Sequence, residues 1–587
     1  MRRIIISSNK PRFDGWHGTG VYQEVTMMLV RMNLRLALSL LCVGVIIFTL
    51  YWSQCGDLTR RHRPGSIISN ALSERSLPYS DSIKCVINGE YSISCKRDGD
   101  DIYVPFSFIH KYFEIYGKLT SDRGTELFEW SHSYSKVYHP KKQYDPYGTF
   151  TTFENYNVEV RERVKCISGT EGVPVSIQWE PRGFYYPTQI AQFGLAHYSK
   201  NLTEPPPRRK IIYDGEKILD TNWIVSQDAS MTKVFDKDKQ THVMKFSTSD
   251  QMSSQVWLKL NLSQDFVLSL DLFLRLNSTF TVVLQNKEKK ETVYLHYVCS
   301  NNLIADEHVY YGIGVEQKWK HITRDLIVDM QKGWALQERP KRKAHRTKFK
   351  ISSMILSGSG FLDNVTISSS EHMAHFYSAA EWLVSHSRSG GWPIPVRRRI
   401  AAGVAELKPG WFSAMSQGHA ISLLSRAFHR SGELKYLQAA KKALYVLDVP
   451  TENGGVRAMW MDKYVWYEEY PTKPPLFVLN GFIYTLLGLY DLHVIEGENS
   501  ISLAKKMFDD GMTSLKSLLP LFDTGSGSFY DLRHFTLGVS PNIARWDYHA
   551  THVNQLYLLA GLDSDPILLN TAKRWEGYMQ GKRAAHN

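Results

Sequence analysis

The chain has 587 residues and a formal charge of +12; 43% of its residues are hydrophobic, 22% charged and 12% aromatic. That length exceeds what one hydrophobic core organises, and the composition excludes a chain dominated by disorder or collagen-like repeats, so two or three folded domains are expected. The positive balance implies a polyanionic partner, while fifteen Trp and thirty-two Tyr supply flat stacking surfaces with a polar edge.

In chain order, residues 1–35 form a leader before Leu36–Trp52, an uncharged apolar run of 17 that lies at the short end of what spans a bilayer as a helix. Its position after a long leader and its bulky end argue for a retained anchor rather than a cleaved signal peptide. Basic residues flank both ends, so charge alone does not orient it. Asn201, Asn261, Asn277 and Asn364 do: each opens an Asn-X-Ser/Thr acceptor, which places the body in the secretory lumen and residues 1–35 in the cytosol. Residues 53–80 are polar and turn-rich and read as a stem. Six cysteines are too few for a disulfide framework, though Cys85 and Cys95 flank an Asn88-Gly89 turn and admit a hairpin disulfide. No CxxC pair occurs, so no structural zinc site is expected.

Residues 81–209 alternate in short segments broken by Gly, Pro and Asp, which predicts hairpins and loops. Between 210 and 370, Phe266, Leu268, Leu270, Leu272, Leu274 and Leu276 occupy every second position, the period of a sheet with one buried face, and an antiparallel sandwich or barrel follows. From 371 to 587 the period changes. Ile501, Ala504, Phe508, Leu515 and Leu519 recur at the spacing of an amphipathic helix, and similar stripes predict paired helices, as a bundle or an α/α toroid. The expected fold is multidomain α+β.

The helical third also holds polar clusters that packing alone does not require. WYEEYP sets Glu468, Glu469 and Tyr470 before Pro471, which disfavours helix there. GSGSFYDLRHF presents Tyr530, Asp531, Arg533 and His534; ARWDYHATHVNQL presents Arg545, Asp547, Tyr548, His549 and His552 at a helix start. Each has a plainer reading: tyrosines as core rings, the adjacent acids as one solvated and one paired side chain, and the two histidines as core groups, since no third metal ligand is identifiable. Arg339, Lys341, Arg342, Lys343, Arg346, Lys348 and Lys350 form a basic run suited to an acidic polysaccharide; the alternative is a solvated loop. Nucleic acid is not expected as a partner, because the segment is read as lumenal.

GWFSAMSQGHAISLLSRA, WYEEYPTKPPLFVLNGF, DTGSGSFYDLRHF and ARWDYHATHVNQL closely resemble the D-glucuronyl C5-epimerases of heparin and heparan sulfate synthesis, and SHSYSKVY, YNVEVRERVKCISGTEGVP and YYPTQIAQFGLAHYSKNLTE extend the resemblance over residues 81–587. It implies an N-terminal hairpin region, a central β domain, a C-terminal α/α-type helical domain and a homodimer, held in the Golgi membrane with the catalytic body in the lumen. It implies that N-sulfated heparosan is the substrate and that catalysis uses Glu469, Tyr470, Tyr530, Arg533 and Tyr548. Glu469 and Tyr548 would exchange the C5 proton from opposite faces, and Arg533 with the two other tyrosines would stabilise charge spreading into the carboxylate. Burial should raise the Glu pKa and nearby cations should lower that of Tyr. Asn480 and Arg545, with Arg342, Lys343 and Arg346, are the expected substrate contacts. Deprotonation needs no organic cofactor; the resemblance implies a structural calcium, with Asp363 as a ligand. A polysaccharide lyase would share the first proton abstraction but would release an unsaturated sugar. A non-catalytic heparan-binding membrane protein would explain the charge, not the acid, Tyr and Arg constellation.

Overall fold

The computed structural model describes residues 81–585, apart from short stretches at 88, 90, 113–114, 123, 133–135, 217–222, 250, 252–253, 338–344 and 498–501. The leader, the apolar run at 36–52, the stem, and Arg342 and Lys343 lie outside the described residues. Among the described residues no helix is long and apolar enough to cross a membrane.

The described residues up to Pro105 form one unit, in which antiparallel strands Asp81–Ile87, Tyr91–Asp98 and Asp101–Tyr103 make a small sheet. Cys85 and Cys95 are joined across its first hairpin.

The second unit opens with α1 (Phe106–Tyr112) and the hairpin Ile115–Asp122 with Thr125–His132. A small sheet of Val164–Ile167, Pro174–Ser176 and Phe184–Tyr185 then leads into α2 (Pro187–Thr203). This helix was not anticipated within the hairpin region. Pro187 is pre-set for a first helical position, but the buried face mixes Ile190, Phe193 and Leu195 with Thr188, His197, Ser199 and Lys200, which blurs the apolar stripe.

The β signal becomes a sandwich of a seven-stranded and a six-stranded sheet, antiparallel except where Thr292–Val298 runs parallel to Val309–Gly312. Leu268, Leu270, Leu272 and Leu274 point into its core from strand Val267–Leu274; Leu276, the expected end of that alternation, lies beyond the strand and is 58% exposed. At the sandwich edge sits α3 (Leu326–Leu336), whose first-turn amides of Ile327 and Val328 donate to the Asp325 carboxylate.

After the sandwich come α4 (His372–Ser385), α5 (Ala414–Ser431), α6 (Leu434–Asp448), α7 (Leu479–Glu496), α8 (Leu503–Leu518), α9 (Arg533–Leu537), α10 (Trp546–Leu559) and α11 (Pro566–Met579). Their contacts describe a double layer. An inner row runs α2, α5, α7, α10, and each inner helix is backed by an outer one: α4 on α2, α6 on α5, α8 on α7 and α11 on α10. The helical region is therefore discontinuous in sequence, with α2 contributed from before the sandwich. In the inner row α7 is apolar nearly all round and touches α5 backbone to backbone; a Cβ added at Gly488 would lie 2.4 Å from the Gly418 carbonyl oxygen.

One ionic group lies inside this layer. Arg426 of α5 and Asp491 of α7 are wholly buried with Nη1 and Oδ2 2.5 Å apart, and Tyr144 donates its hydroxyl to Asp491 at 2.8 Å. Arg426 also reaches the Tyr144 oxygen, at 3.0 Å, and so ties the loop before the small sheet of Val164–Ile167 to both helices. Removing one partner of such a pair strands a charge. Arg426→Met should lower unfolding stability by about 3–5 kcal/mol in denaturant melts, and adding Asp491→Leu should recover much of that loss; a single variant as stable as the parent would contradict this role.

Candidate active site

A cleft of about 490 Å³ opens at one end of the inner row. Its lining includes first-turn or second-turn residues of all four inner helices: Thr188, Gln189 and Gln192 of α2, Met415 of α5, Asn480 and Tyr484 of α7, and Tyr548 and Thr551 of α10. None of these helices has a side-chain N-cap, so four positive dipole ends face one volume. Such a site favours negative charge.

Glu469 and Tyr470 enter from the loop between strand Tyr464–Tyr467 and α7, as expected from the following proline. The two adjacent acids have different jobs. Glu468 turns away from the cleft and accepts the Phe477 amide at 3.0 Å, fixing the left-handed residue (φ 58°) that leads into α7. Glu469 lines the cleft, is 6% exposed, and its Oε2 has no hydrogen-bond partner among the described residues. Burial pushes its carboxyl up to about 7, against the lowering effect of the neighbouring Tyr470 hydroxyl, with Asp531 adding to the rise. Only glycine fits opposite: a Cβ on Gly481 would lie 2.4 Å from Glu469 Oε2.

Tyr530 and Tyr548 meet edge to face with ring centroids 4.8 Å apart, and Tyr548 occupies the third residue of α10. Its pKa is raised, contrary to the expected lowering, because burial and then Glu469 outweigh Arg163 and Arg545. Burial likewise holds Tyr470 and Tyr530 well above the ordinary value. Asn480 reaches the cleft with its buried Oδ1 lacking a partner among the described residues, and Arg545 stands at the rim, paired with Asp547 at 2.8 Å and 5.4 Å over the Tyr548 ring.

Arg533 is not brought into the cleft. Its guanidinium forks onto the buried Asp531, with Nη2 to Oδ2 at 2.6 Å, and its backbone amide joins the same carboxylate. Besides Arg545 at the rim and Lys136, the cations that line the cleft are Arg161 and Arg163, on the segment before strand Val164–Ile167. Arg161 is half-buried, 4.8 Å over the Tyr156 ring; its pKa is lowered by burial and then by Arg163. Neither arginine forms a salt bridge among the described residues, so together they offer a seat for an anion. Sequence reasoning missed them because VRERV alternates charge as a solvated strand does. Tyr186, Gln189 and Tyr484 were missed as well, since nothing local separates them from core residues.

The other expected sites lie elsewhere. His549 and His552 both bond through Nδ1 to the Ser528 hydroxyl, at 2.8 and 2.9 Å, as core histidines. Arg346 is exposed and pairs with Asp325. Asn261, Asn277 and Asn364 are exposed and Asn201 is half-buried. Asp363 is buried in the sandwich, accepts the Gly215 amide at 3.0 Å and lies 3.8 Å from Lys239 Nζ. Among the described residues no group of three or more His, Cys, Asp or Glu gathers to hold a metal ion. Asp363 with these partners does not by itself make the many-oxygen cage calcium takes.

Residues 386–577 match the family model for the D-glucuronyl C5-epimerase C-terminus, and residues 240–359 match that for the D-glucuronyl C5-epimerase β-sandwich domain. A D-glucuronyl C5-epimerase of Caenorhabditis elegans is 38% identical over 562 residues, covering 87% of this chain and 90% of that protein. An uncharacterized protein of Methanocaldococcus jannaschii is 31% identical over 175 residues, 29% of this chain and 53% of that protein. Among solved structures, a family 11 carbohydrate-binding module of a Clostridium thermocellum cellulase aligns with 28% of this chain and 95% of its own at 12% identity and a TM-score of 0.18.

The contact between Gly481 and Glu469 sets a test of the site. Gly481→Ala should displace the carboxylate and cut turnover by about a hundredfold with little change in melting temperature. Full turnover in a folded alanine variant would show that the carboxylate position is not critical.

Proposed function

The chain belongs to the D-glucuronyl C5-epimerase family and is an isomerase of glucuronyl C5, and we propose that it converts D-glucuronate to L-iduronate residues within N-sulfated heparosan by two-base proton transfer. The observation that carries the mechanism is the pairing, in one cleft, of Glu469, whose carboxyl sits at about 7, with Tyr548, whose hydroxyl is raised. One group can accept a proton near neutrality while the other keeps its own to donate.

Removing the C5 hydrogen puts negative charge onto the sugar carboxylate. Arg161 and Arg163 seat that carboxylate; the Tyr470 and Tyr530 hydroxyls and the inner-helix N-termini stabilise the enolate-like intermediate. Glu469 takes the proton from one face and Tyr548 returns one to the other, which inverts the centre without breaking the glycosidic bond. Arg533 acts on this reading through Asp531, whose charge contributes to the Glu469 shift. Asn480 and Gln189, each with an unpartnered buried oxygen, accept sugar hydroxyls.

The same reading places the body in the Golgi lumen behind a type II anchor at residues 36–52, glycosylated at the four Asn acceptors, homodimeric, with any calcium at Asp363 supplying rigidity rather than proton chemistry. Reaction in deuterated water supplies the main test. Deuterium should enter C5 of newly formed iduronate while polymer length stays constant, and Glu469→Gln and Tyr548→Phe should each lower the rate by about 10²–10⁴-fold. Unsaturated chain ends would instead identify a lyase. Because Glu469 must be ionised to accept the proton, wild-type kcat should rise as pH increases through about 7; a flat profile there would remove Glu469 as the base.

The basic run from Arg339 to Lys350 is read as a contact for the polymer beyond the cleft. Neutralising its cations should weaken polymer binding at low salt and flatten its salt dependence, while a short oligosaccharide is affected less. Unchanged polymer affinity would leave this run as a solvated loop.

A further inference from the structure

Arg161 and Arg163 point into a cleft built by the helical layer, yet the segment that carries them is held from the other side, by the sandwich. Four consecutive handholds are visible. Lys332 of α3 sends Nζ to the carbonyl oxygens of Arg161 and Val164, both at 2.7 Å. Arg324, at the end of strand Lys320–Asp325, donates through Nη2 to the Ile167 carbonyl and through Nη1 to the Ser168 carbonyl, both at 3.0 Å.

The two cations differ in what else they do. Arg324 is locked by the buried Asp329 carboxylate, with Nη2 to Oδ1 at 2.6 Å, and belongs to the sandwich core. Lys332 makes no salt bridge among the described residues. It is 7% exposed, and its ammonium is committed to two backbone oxygens of one turn, which the Val164 amide closes onto the Arg161 carbonyl at 3.0 Å. A buried lysine is costly to desolvate, and satisfying two carbonyls could have been left to water or to a neutral donor. What the ammonium adds is a charge-assisted hold on the residue whose side chain faces the substrate.

We propose that Lys332 is a positioning residue for the epimerase reaction, fixing through the Arg161 and Val164 carbonyls the turn that aims Arg161 and Arg163 at the sugar carboxylate. The inference rests on the reading of those two arginines as the carboxylate seat. It gives the sandwich a part in substrate recognition although Lys332 itself does not line the cleft. Cys166 on the adjacent strand, with Glu159 and Glu162 on the preceding segment, are the titratable groups that act on Lys332, and Arg161, whose carbonyl it holds, is a neighbouring cation. Burial lowers Lys332 to about 8 and raises Cys166 to about 11, so Lys332 changes charge first as the solution turns alkaline.

Lys332→Met and Lys332→Arg, made in the full chain, test this. Hydrogen exchange without substrate should be faster over residues 158–168 in the methionine variant than in the parent. Its KM for glucuronate-containing polymer should rise about tenfold with kcat within about twofold, and arginine should restore both readings. Unchanged exchange overturns the grip. Faster exchange with an unchanged KM overturns the carboxylate-seat reading instead, and the positioning role with it. A fall in kcat at constant KM marks a merely structural lysine. If the methionine variant does not fold, the parent still decides: its KM should rise as pH passes about 8 while that of Lys332→Arg stays flat, and parallel profiles overturn the proposal.

Discussion

The convergence of four helix N-termini on one volume is the constraint on which the rest of the structure depends. It exists only because α2, α5, α7 and α10 run side by side in one row. That row in turn needs the backbone contact at Gly418 and Gly488 and the internal pairing of Arg426 with Asp491. Peptide dipoles aligned in this way favour an anion without adding any mobile charge. The proposed enolate-like intermediate, with negative charge added beside a carboxylate, has the most to gain from them. The arginines sharpen what the helix ends begin.

Within that field the protein gives opposite protonation habits to two groups that line the same cleft. A carboxyl that burial lifts to near neutrality can be emptied and refilled, whereas a phenol whose pKa burial lifts further stays filled, the property that the proposed proton return requires. Both shifts have the same first cause, desolvation, acting on groups that start far apart on the pH scale. The sequence-based expectation erred on the phenol because it counted cations and not burial: Arg163 and Arg545 are present, but burial of the hydroxyl outweighs them.

Much of this was legible beforehand. The period-two run of Leu268 to Leu274 wrote out a sandwich strand, the stripes after residue 371 wrote out helices, and Pro471 put Glu469 on a loop. What stayed hidden has a common physical form. α2 buries polar side chains that meet partners far away in sequence, as Ser199 does with the Phe150 amide, so its stripe looked too weak for a helix. Arg161 and Arg163 lie far upstream of Glu469 and became site residues only through tertiary placement. Arg533 sat in a promising motif, and its near neighbour Asp531 captured it. A local pattern reports periodicity well; it does not report which of two competing charges a guanidinium will face.

The interrupted helical layer also fixes an order of events during synthesis. Helix α2 leaves the ribosome before the sandwich does, and although the segment around Phe153 covers part of it, α4 and α5, which complete the burial of Ile190, Phe193, Leu195 and Tyr198, are made only after the sandwich. The nascent chain therefore carries a partly uncovered apolar helix through the time needed to translate an intervening domain. Long-range closure of this kind is slow and leaves surface open to aggregation. The demand on chaperones falls on one identifiable segment, and a chain beginning after the sandwich would lack the first inner helix and, with it, one wall of the cleft.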